Sequence, residues 1–238
     1  MEFEPNSRTH QLPVSKTIGT DYSYKHQLVW KNAIGFLILH LLGLWGMMVL
    51  VTGGVSFKTF LWTLFVTYIG AEGITAGAHR YYTHRTFKAT PLCRAILLTL
   101  QTLAGQNCMF IWCRDHRLHH RYSDTDADPH NSKRGFFFSH VGWLMTKKHP
   151  YVIELGRRID LSDLQSDWMI MFQKKYYYPL YLLLAIFIPV WVPAYYFKED
   201  WWNALFVCYF FRYVFSLNAT WLVNSSAHLY GTRPYDRT

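Results

Sequence analysis

Four long apolar runs limit how this chain can fold more than any other feature of its sequence. The first, from Ala33 to Thr52, contains no charged side chain and matches the roughly 20 residues that a helix needs to cross a bilayer. Short polar connections at 53–54 and 198–200 separate the runs pairwise. The sequence therefore predicts an all-α integral membrane protein with four transmembrane helices in two antiparallel hairpins. The runs cover residues 33–52, 59–78, 176–197 and 201–223.

Composition and charge agree with a membrane protein. Apolar residues make up 51% of the chain and charged residues 16%, against roughly 25% charged in soluble domains. The net charge is +9, and the Lys and Arg residues concentrate before the first run, between Arg80 and Lys175, and after the fourth run. The positive-inside rule places both termini and the central segment in the cytosol. Membrane orientation thus accounts for the charge, and no nucleic-acid partner is needed.

This topology predicts five regions and a helical cytosolic cap. In the cap, Ser162 with Gln165 fits a capping box, and apolar residues at helical spacing after it predict a helix that lies on the membrane or packs on the cap. The second hairpin divides the cap in the sequence, and the C-terminal part of the cap begins after that hairpin. The regions are an N-terminal tail (1–32), the first hairpin (33–78), the cap with its histidine motifs (79–175), the second hairpin (176–223) and the incomplete start of the C-terminal cap (224–238).

Histidines cluster at three places on the cytosolic side. His116, His119 and His120 occur at i, i+3 and i+4, which puts three imidazoles on one helix face. His79 and His84 are five apart, about 140° around an ideal α-helix, so they face two ions unless His84 lies beyond the helix end. The third set follows the fourth run, where Asn224 and His228 are four apart on one helix face.

Six histidines exceed the four ligands of one structural zinc ion, and the four cysteines form no C-x-x-C pair. Two borderline metal ions such as iron fit this donor set better than zinc or copper(I). Four acids are candidates to accept ring N–H groups: Asp115, Asp124, Asp126 and Asp128. The histidines at 40, 130 and 140 are interpreted mainly as packing or loop residues.

Several phrases resemble the membrane acyl-CoA desaturase family. They are GITAGAHR at 73–80 with His84, RDHRLHH at 114–120, DADPHN at 126–131, GFFFSHVGW at 135–143, and NSSAH at 224–228 with RPYD at 233–236. The resemblance implies four transmembrane helices and a cytosolic cap that holds two ferrous iron ions. It also implies an endoplasmic-reticulum enzyme that uses O2 and electrons from cytochrome b5, with its reductase, to put a double bond into a long-chain fatty acyl-CoA.

The resemblance also implies individual residue roles. The expected iron ligands are His79, His84, His116, His119, His120 and His228, with Asn224 acting through water. The expected substrate-binding residues are Arg114 and Asp115 at the headgroup, Asn32, Lys147 and Lys148 near the nucleotide or phosphates, and Gln106, Asn107, Trp112 and Trp221 at the bend of the acyl chain. The family has a further H-x-x-H-H box beyond the RPYD phrase. We therefore expect this sequence to be a fragment that cannot hold both irons in catalytic geometry as it stands.

Three alternatives remain open at this point. The same iron cap could hydroxylate an acyl chain, or the chain could be a catalytically inactive truncated desaturase. A metal transporter would require ionisable residues along the runs, which offer His40, Glu72 and Arg212. Two sequences match the N-glycosylation pattern, at Asn218 and Asn224, and the topology predicts that neither is modified because both lie at the cytosolic side.

Overall fold

The structure is a computed structural model that describes residues 18–231, and within that range the chain is helical, with one isolated β-bridge between Leu28 and Thr146. Four segments are π-helical and one is a 3₁₀-helix. The α-helices are α1 Trp30–Val51, α2 Phe57–Glu72, α3 Pro91–Ala104, α4 Met109–Tyr122, α5 Trp143–Met145, α6 Pro150–Gly156, α7 Ser162–Ser166, α8 Trp168–Lys175, α9 Tyr177–Tyr181, α10 Ile188–Tyr196, α11 Trp201–Leu205, α12 Arg212–Asn224 and α13 Ser226–Leu229. The π-helices are Gly73–Thr83, Phe138–Gly142, Leu182–Phe187 and Phe206–Phe211, and the 3₁₀-helix is Ser132–Arg134.

Three helices in the described range are long and apolar enough to cross a membrane: Trp30–Val51, Tyr177–Tyr196 and Trp201–Leu229. They correspond to the first, third and fourth predicted runs. The second predicted run, 59–78, is not among them, although α2 and the π-helix that follows it continue as one helix to Thr83. The bent pair of α3 and α4, with an 85° angle between the helices, meets the length and composition test only when the two are taken together. The sequence analysis had treated the apolar part of α3 as too short to span.

The two predicted hairpin turns lie together at one end of the helices. The carboxylate of Glu199 accepts hydrogen bonds from the Ser56 amide at 2.8 Å and the Thr59 hydroxyl at 2.7 Å. At the same end, α1 and the π-helix Phe206–Phe211 are so close at Gly46 that an added Cβ would lie 2.1 Å from the carbonyl oxygen of Phe206. The first and second predicted hairpins are therefore packed side by side.

Proline explains the buried arginine of the fourth run. Pro189 and Pro193 lack N–H groups, so the helix leaves the carbonyls four residues earlier, at Ala185 and Pro189, without their usual donors. Arg212 Nη2 donates to the Ala185 carbonyl at 2.8 Å, and Trp62 Nε1 donates to the Pro189 carbonyl at 2.9 Å. Neighbouring helices can satisfy freed carbonyls in this way inside a membrane. The Arg212 side chain is thus part of the helix packing, as a donor to backbone carbonyls.

The part of the predicted N-terminal tail that the structure describes lies along residues of the central segment, 79–175. The Gly19 carbonyl accepts from the Asp126 amide at 3.0 Å, and the Asp21 amide donates to the Asp126 carboxylate at 2.8 Å. Further along, the Val29 amide donates to the Met145 carbonyl at 2.7 Å, and α1 begins at Trp30, three residues before the predicted start. Residues 1–17 and 232–238, which include most of the predicted tail and the RPYD phrase, lie outside the described residues.

The predicted capping box at Ser162 is wrong. Ser162 is the first residue of α7 and Leu161 occupies the N-cap position, while the Ser162 amide donates to the side chain of Asp160 at 3.0 Å. The predicted helix is also divided, because the side chain of Asp167 caps a second helix, α8. Trp168 and Phe172 of α8 are exposed, which agrees with the predicted contact of this face with the membrane.

Candidate metal centre

A π-helix brings His79 and His84 together. In the segment Gly73–Thr83 the backbone bonds run from residue i+5 to residue i, and the last of these joins the His84 amide to the His79 carbonyl at 3.1 Å. Residues five apart therefore lie on adjacent turns, and the two imidazole centroids are 4.6 Å apart. The separation of about 140° expected for these rings assumed a regular α-helix, and it is wrong because this segment is wound more widely.

Four histidines form the first histidine group, which consists of His79, His84, His116 and His120. One nitrogen from each ring lies within 4.8 Å of the others. Nε2 of His120 is 3.2 Å from Nε2 of His84 and 3.0 Å from Nε2 of His116. Two nitrogens bound at about 2.1 Å to one ion, at right angles to each other, would be about 3.0 Å apart. The donor set therefore fits a single metal ion.

The surroundings of His79, His116 and His120 favour the neutral form of these three imidazoles. Burial, and then the neighbouring His120, lowers the pKa of His116 to about 2. Burial and the neighbouring His84 lower the pKa of His120 to about 4, and burial followed by His84 lowers the pKa of His79. Neutral imidazole is the form that binds a metal ion, because a protonated ring nitrogen has no free lone pair. The group is therefore prepared for metal at neutral pH.

The second histidine group consists of His119, Asp128 and His130, which are all buried. His119 Nδ1 donates to Asp128 at 2.9 Å, and Asp128 also accepts from the Asp124 amide. Burial alone would raise the pKa of Asp128, but the hydrogen bond from His119 and the nearby ring of His130 outweigh it and lower that pKa. His228 lies beside this group, with its ring centroid 5.0 Å from that of His119 and its Nδ1 3.4 Å from an Asp124 oxygen.

The three histidines of α4 are thus divided between the two groups. His116 and His120 face the first group and His119 faces the second, although the spacing predicted one common face. Positions i+3 and i+4 lie on opposite sides of position i, about 100° from each other, so one helix serves two neighbouring sites. The sequence analysis missed His130 as a member of the second group, and its position in the DADPHN phrase was the available signal.

Arg114, Asp115 and Lys148, which were predicted to bind substrate, form one ion-pair cluster. Asp115 accepts from Arg114 at 2.7 Å and from Lys148 at 2.8 Å. The predicted role of Asp115 as an acceptor for a ring N–H is therefore wrong, since its oxygens are used by cations. Asp126 is likewise paired with Arg134 at 2.6 Å. Two of the predicted acceptors lie beside candidate ligands, namely Asp128 at His119 and Asp124 at His228.

The predicted bend residues lie around the turn between α3 and α4. Gln106 Nε2 donates to the Thr220 hydroxyl at 2.8 Å, one residue before Trp221 in α12. Asn107 has a left-handed backbone, with φ of 75°, and its side chain accepts from the Cys108 amide at 2.9 Å. The ring of Trp112 lies 4.6 Å from that of His116, so one predicted bend residue contacts the first histidine group directly.

A buried amide network holds this turn, and the sequence analysis did not find it. Gln173 of α8 donates to Gln101 at 2.7 Å and to the Thr102 hydroxyl at 2.9 Å, and it accepts from the Met109 amide at 2.9 Å. Gln101 in turn donates to the Asn107 carbonyl at 2.7 Å. The network fixes the first residue of α4 against α3. No short-range pattern marks Gln173, because its partners lie more than sixty residues away.

Comparison with known proteins shows what this site belongs to. Residues 56–238 match the family model described as fatty acid desaturase. The chain belongs to the fatty acid desaturase family. The resemblance inferred from the motifs is therefore confirmed.

Curated members of the fatty acid desaturase family match nearly the whole chain. It is 53% identical over 236 residues to the acyl-CoA desaturase of Ovis aries, which covers 99% of this chain and 63% of that protein. It is 52% identical to the stearoyl-CoA desaturase of Bos taurus and 50% identical to the acyl-CoA Delta-9 desaturase of Acheta domesticus, each over 90% of this chain and 59% of the relative. The chain spans about three fifths of the length of these relatives.

The remaining predicted residues of this family member lie in α1, in the central segment and at the end of α12. Asn32 Nδ2 donates to the Leu144 carbonyl at 2.9 Å, and the Lys147 amide donates to the Gln27 carbonyl at 2.9 Å. Lys147 and Lys148 also line a small cavity in the cap. Asn224 is the last residue of α12, and a one-residue break separates it from the short helix that carries His228, so the two do not share one regular helix face as predicted.

Proposed function

We propose that this chain carries most of the catalytic apparatus of a fatty acyl-CoA desaturase, an oxidoreductase that introduces a double bond into a long-chain acyl-CoA. The convergence of four imidazoles in the first histidine group is the observation that carries the proposal. The names of the relatives, acyl-CoA and stearoyl-CoA desaturase, supply the substrate class. Hydrophobic helices next to the histidines suit a substrate whose reacting part is an alkyl chain.

In this proposal one iron ion binds to the first histidine group and a second ion binds beside the second group, which contributes His119. His79, His84, His116 and His120 would hold one ion. His119 and His228 would hold part of the second, and Asn224 would contribute through water. When bound, the ions supply the activation of O2 and the removal of two hydrogens from the acyl chain. The fit rests on the spacing of the nitrogens and on their lowered pKa values.

The protein's own contribution is to orient the ligands and the substrate. Asp128 accepts from His119 Nδ1, so the ring presents Nε2 away from the carboxylate. A carboxylate in that position fixes the tautomer and orientation of a ligating imidazole. Arg114 and Lys148 are cations that suit the phosphates of coenzyme A, and Asp115 between them holds both side chains in place.

The turn between α3 and α4, where the acyl chain is proposed to bend, also orients the substrate. Gln106 joins the turn between α3 and α4 to α12 through Thr220, and the ring of Trp112 packs on that of His116. An acyl chain guided along these residues would pass the first histidine group. Asn32 and Lys147 are proposed to contact the nucleotide end, and Asn107 and Trp221 the bend.

We further propose a four-span protein of the endoplasmic-reticulum membrane with both termini cytosolic. In this arrangement the regions 33–78 and 176–223 are the hairpins, and 79–175 with 224–238 forms the cap. Support comes from the concentration of Lys and Arg on one side and from the pairing of the two turns through Glu199. Cytochrome b5 with its reductase would supply electrons at the cytosolic side, and O2 would be the oxidant.

Metal loading and product analysis test the proposal together. The chain is purified from membranes and loaded with ferrous iron, and the bound metal is measured by inductively coupled plasma mass spectrometry. His116→Gln should lose iron from the first group, whereas His149→Gln, outside both groups, should retain it. An unchanged iron content in His116→Gln would refute the assignment of the ligands.

The reaction is then assayed with stearoyl-CoA, NADH, cytochrome b5 and its reductase under O2. A product that has lost two hydrogens supports desaturation. A product that has gained an oxygen atom identifies a hydroxylase. An iron-loaded chain that forms neither product would contradict the catalytic proposal for this chain and favour the inactive alternative.

A further inference from the structure

A continuous line of hydrogen bonds crosses the interface between α1, α12 and the π-helix Phe138–Gly142. His40 Nε2 lies 3.2 Å from Asn218 Nδ2, and Asn218 Oδ1 lies 3.0 Å from His140 Nε2. His140 Nδ1 then lies 3.0 Å from the hydroxyl of Ser225. Neither histidine belongs to the two histidine groups. The sequence analysis had interpreted His40 as a packing residue and had not placed His140 among the candidate site residues.

The donors and acceptors of this network can be assigned by starting from the Phe36 carbonyl. A carbonyl only accepts, so His40 Nδ1 donates to the Phe36 carbonyl at 2.7 Å. In the neutral ring Nε2 must then accept from Asn218. The second N–H of the Asn218 amide donates to the Val214 carbonyl at 2.8 Å, which leaves Oδ1 to accept from His140. Every polar atom of the Asn218 amide is therefore used, and its orientation is fixed.

The network surrounds Trp221, which is 4% exposed. The ring of His40 is stacked on the indole, with centroids 6.1 Å apart and planes at 28°. The rings of His140 and Phe36 meet the indole edge-on, each with a centroid separation of 5.7 Å. Both nitrogens of His40 are bonded, so its ring cannot rotate without losing two hydrogen bonds. His140 is held by its bond to Asn218, and its Nδ1 shares the single hydrogen of the Ser225 hydroxyl with the Trp221 carbonyl, 2.9 Å from that hydroxyl.

Polar groups are an expensive way to fill such an interface. Each amide or imidazole loses hydration when it is buried, and apolar side chains of similar volume would pack without that cost. What hydrogen bonds add is direction, because they fix ring planes and not only distances. Trp221 lies between Asn218 and Ser225 on one helix, and Gln106 holds the preceding residue, Thr220, from the other side.

We infer that His140 and Asn218 are positioning residues that fix the indole of Trp221 at the bend, and so determine which methylene groups of the acyl chain lie beside the first histidine group. The inference deepens the proposed function and rests on it. Neither residue is assigned contact with the substrate. Both act through Trp221. Because every polar atom of the Asn218 amide is hydrogen-bonded, this side chain is also not available as a glycosylation acceptor.

The test uses a stearoyl-CoA that carries a photoreactive diazirine in the middle of the acyl chain. After irradiation, labelled peptides are located by mass spectrometry, and excess stearoyl-CoA identifies the labelling that depends on the substrate site. In the unmodified chain we expect competed labelling on the peptide that contains Trp221. In His140→Phe this labelling should fall by about threefold to tenfold, the range for losing one or two ordinary hydrogen bonds, and move to neighbouring peptides.

Two further variants make the result specific. His140→Gln retains an amide N–H that can donate to Asn218, so it should restore most of the original pattern. Thr99→Val removes a hydroxyl that bonds only within its own helix at the Ala95 carbonyl, so it should leave the pattern unchanged. Thermal unfolding of each variant shows whether it is folded.

The outcomes separate the inference from the proposed function. A labelling pattern in folded His140→Phe that equals that of the unmodified chain would overturn the inference. Equal defects in His140→Gln and His140→Phe would also overturn it, since the hydrogen bond to Asn218 would then not be the cause. Absence of competed labelling in every version, including the unmodified chain, would instead refute the proposed acyl-CoA site, and the inference with it.

Discussion

Replacing Gln173 with leucine removes the centre of the amide network that holds the turn between α3 and α4. The side chain is 2% exposed, and leucine fills a similar volume, so the change affects hydrogen bonds more than packing. Three bonds are lost, to Gln101, to Thr102 and from the Met109 amide. The Thr102 hydroxyl still donates to the Leu98 carbonyl at 2.8 Å, so it retains one partner.

Two groups lose their partners completely, namely the side-chain oxygen of Gln101 and the Met109 N–H. Each buried polar group left without a partner costs about 1–3 kcal/mol. Because the Gln101 side chain can adjust, we expect Gln173→Leu to reduce the free energy of unfolding by about 2–4 kcal/mol. For a chain of this length that corresponds to a decrease of about 4–16 °C in Tm.

The assay is thermal unfolding in detergent, followed with a fluorophore that reacts with thiols as they become exposed. Cys108 and Cys113 are buried next to the turn and report its opening. Gln165→Leu is the matched control, because Gln165 is exposed on α7 and its replacement should change Tm by less than about 2 °C. If both variants unfold at the same temperature, the amide network does not stabilise the turn and the reasoning fails.

Three further changes test other contacts. Gly73→Ala places a Cβ 2.3 Å from a backbone nitrogen of α3, so it should lower Tm strongly, whereas Gly35→Ala, with nothing within 4 Å, should not; equal Tm values would contradict this. Asp163→Asn weakens the bidentate contact with Arg117 by about 1 kcal/mol. Burial alone would raise the pKa of Asp163, but the hydrogen bonds from Arg117 outweigh it and lower that pKa. The stability from this ion pair is therefore present above about pH 4 and is lost as the pH falls further. An equal decrease in Tm on acidification in Asp163→Asn would argue against this contribution. Asp128→Asn should weaken metal binding at the second histidine group by about tenfold to a hundredfold without affecting the first, measured by metal titration; equal losses at both groups would exclude a local orienting role.

The sequence predicted the membrane character, the family and the positions of the histidines, because these depend on composition and on short-range spacing. The runs 33–52, 176–197 and 201–223 are visible without knowing any contact. The spacing of His116 and His120 on a regular helix correctly suggested neighbouring rings, which lie 4.5 Å apart between centroids. The ligand assignments themselves remain predictions.

Other features depended on local winding that residue spacing does not reveal. His79 and His84 meet because the helix widens into a π-helix where Gly73 packs against the backbone of α3. The capping box failed for a related reason, since α7 begins at Ser162 with Leu161 as its N-cap, and Asp167 caps a separate helix. In both cases several local structures were compatible with the same residues, and packing between helices selected one.

By itself, the sequence determined that the chain forms apolar helices with histidines near their ends, because hydrophobicity and charge act on each segment separately. Only the tertiary structure decided which side chains meet. Gln101 and Gln173 are 72 residues apart, and His40 and Asn218 are 178 apart. A buried amide or imidazole can form a hydrogen bond with many different polar groups. The backbone fold decides which of these groups comes within hydrogen-bond distance, and burial removes water as an alternative partner.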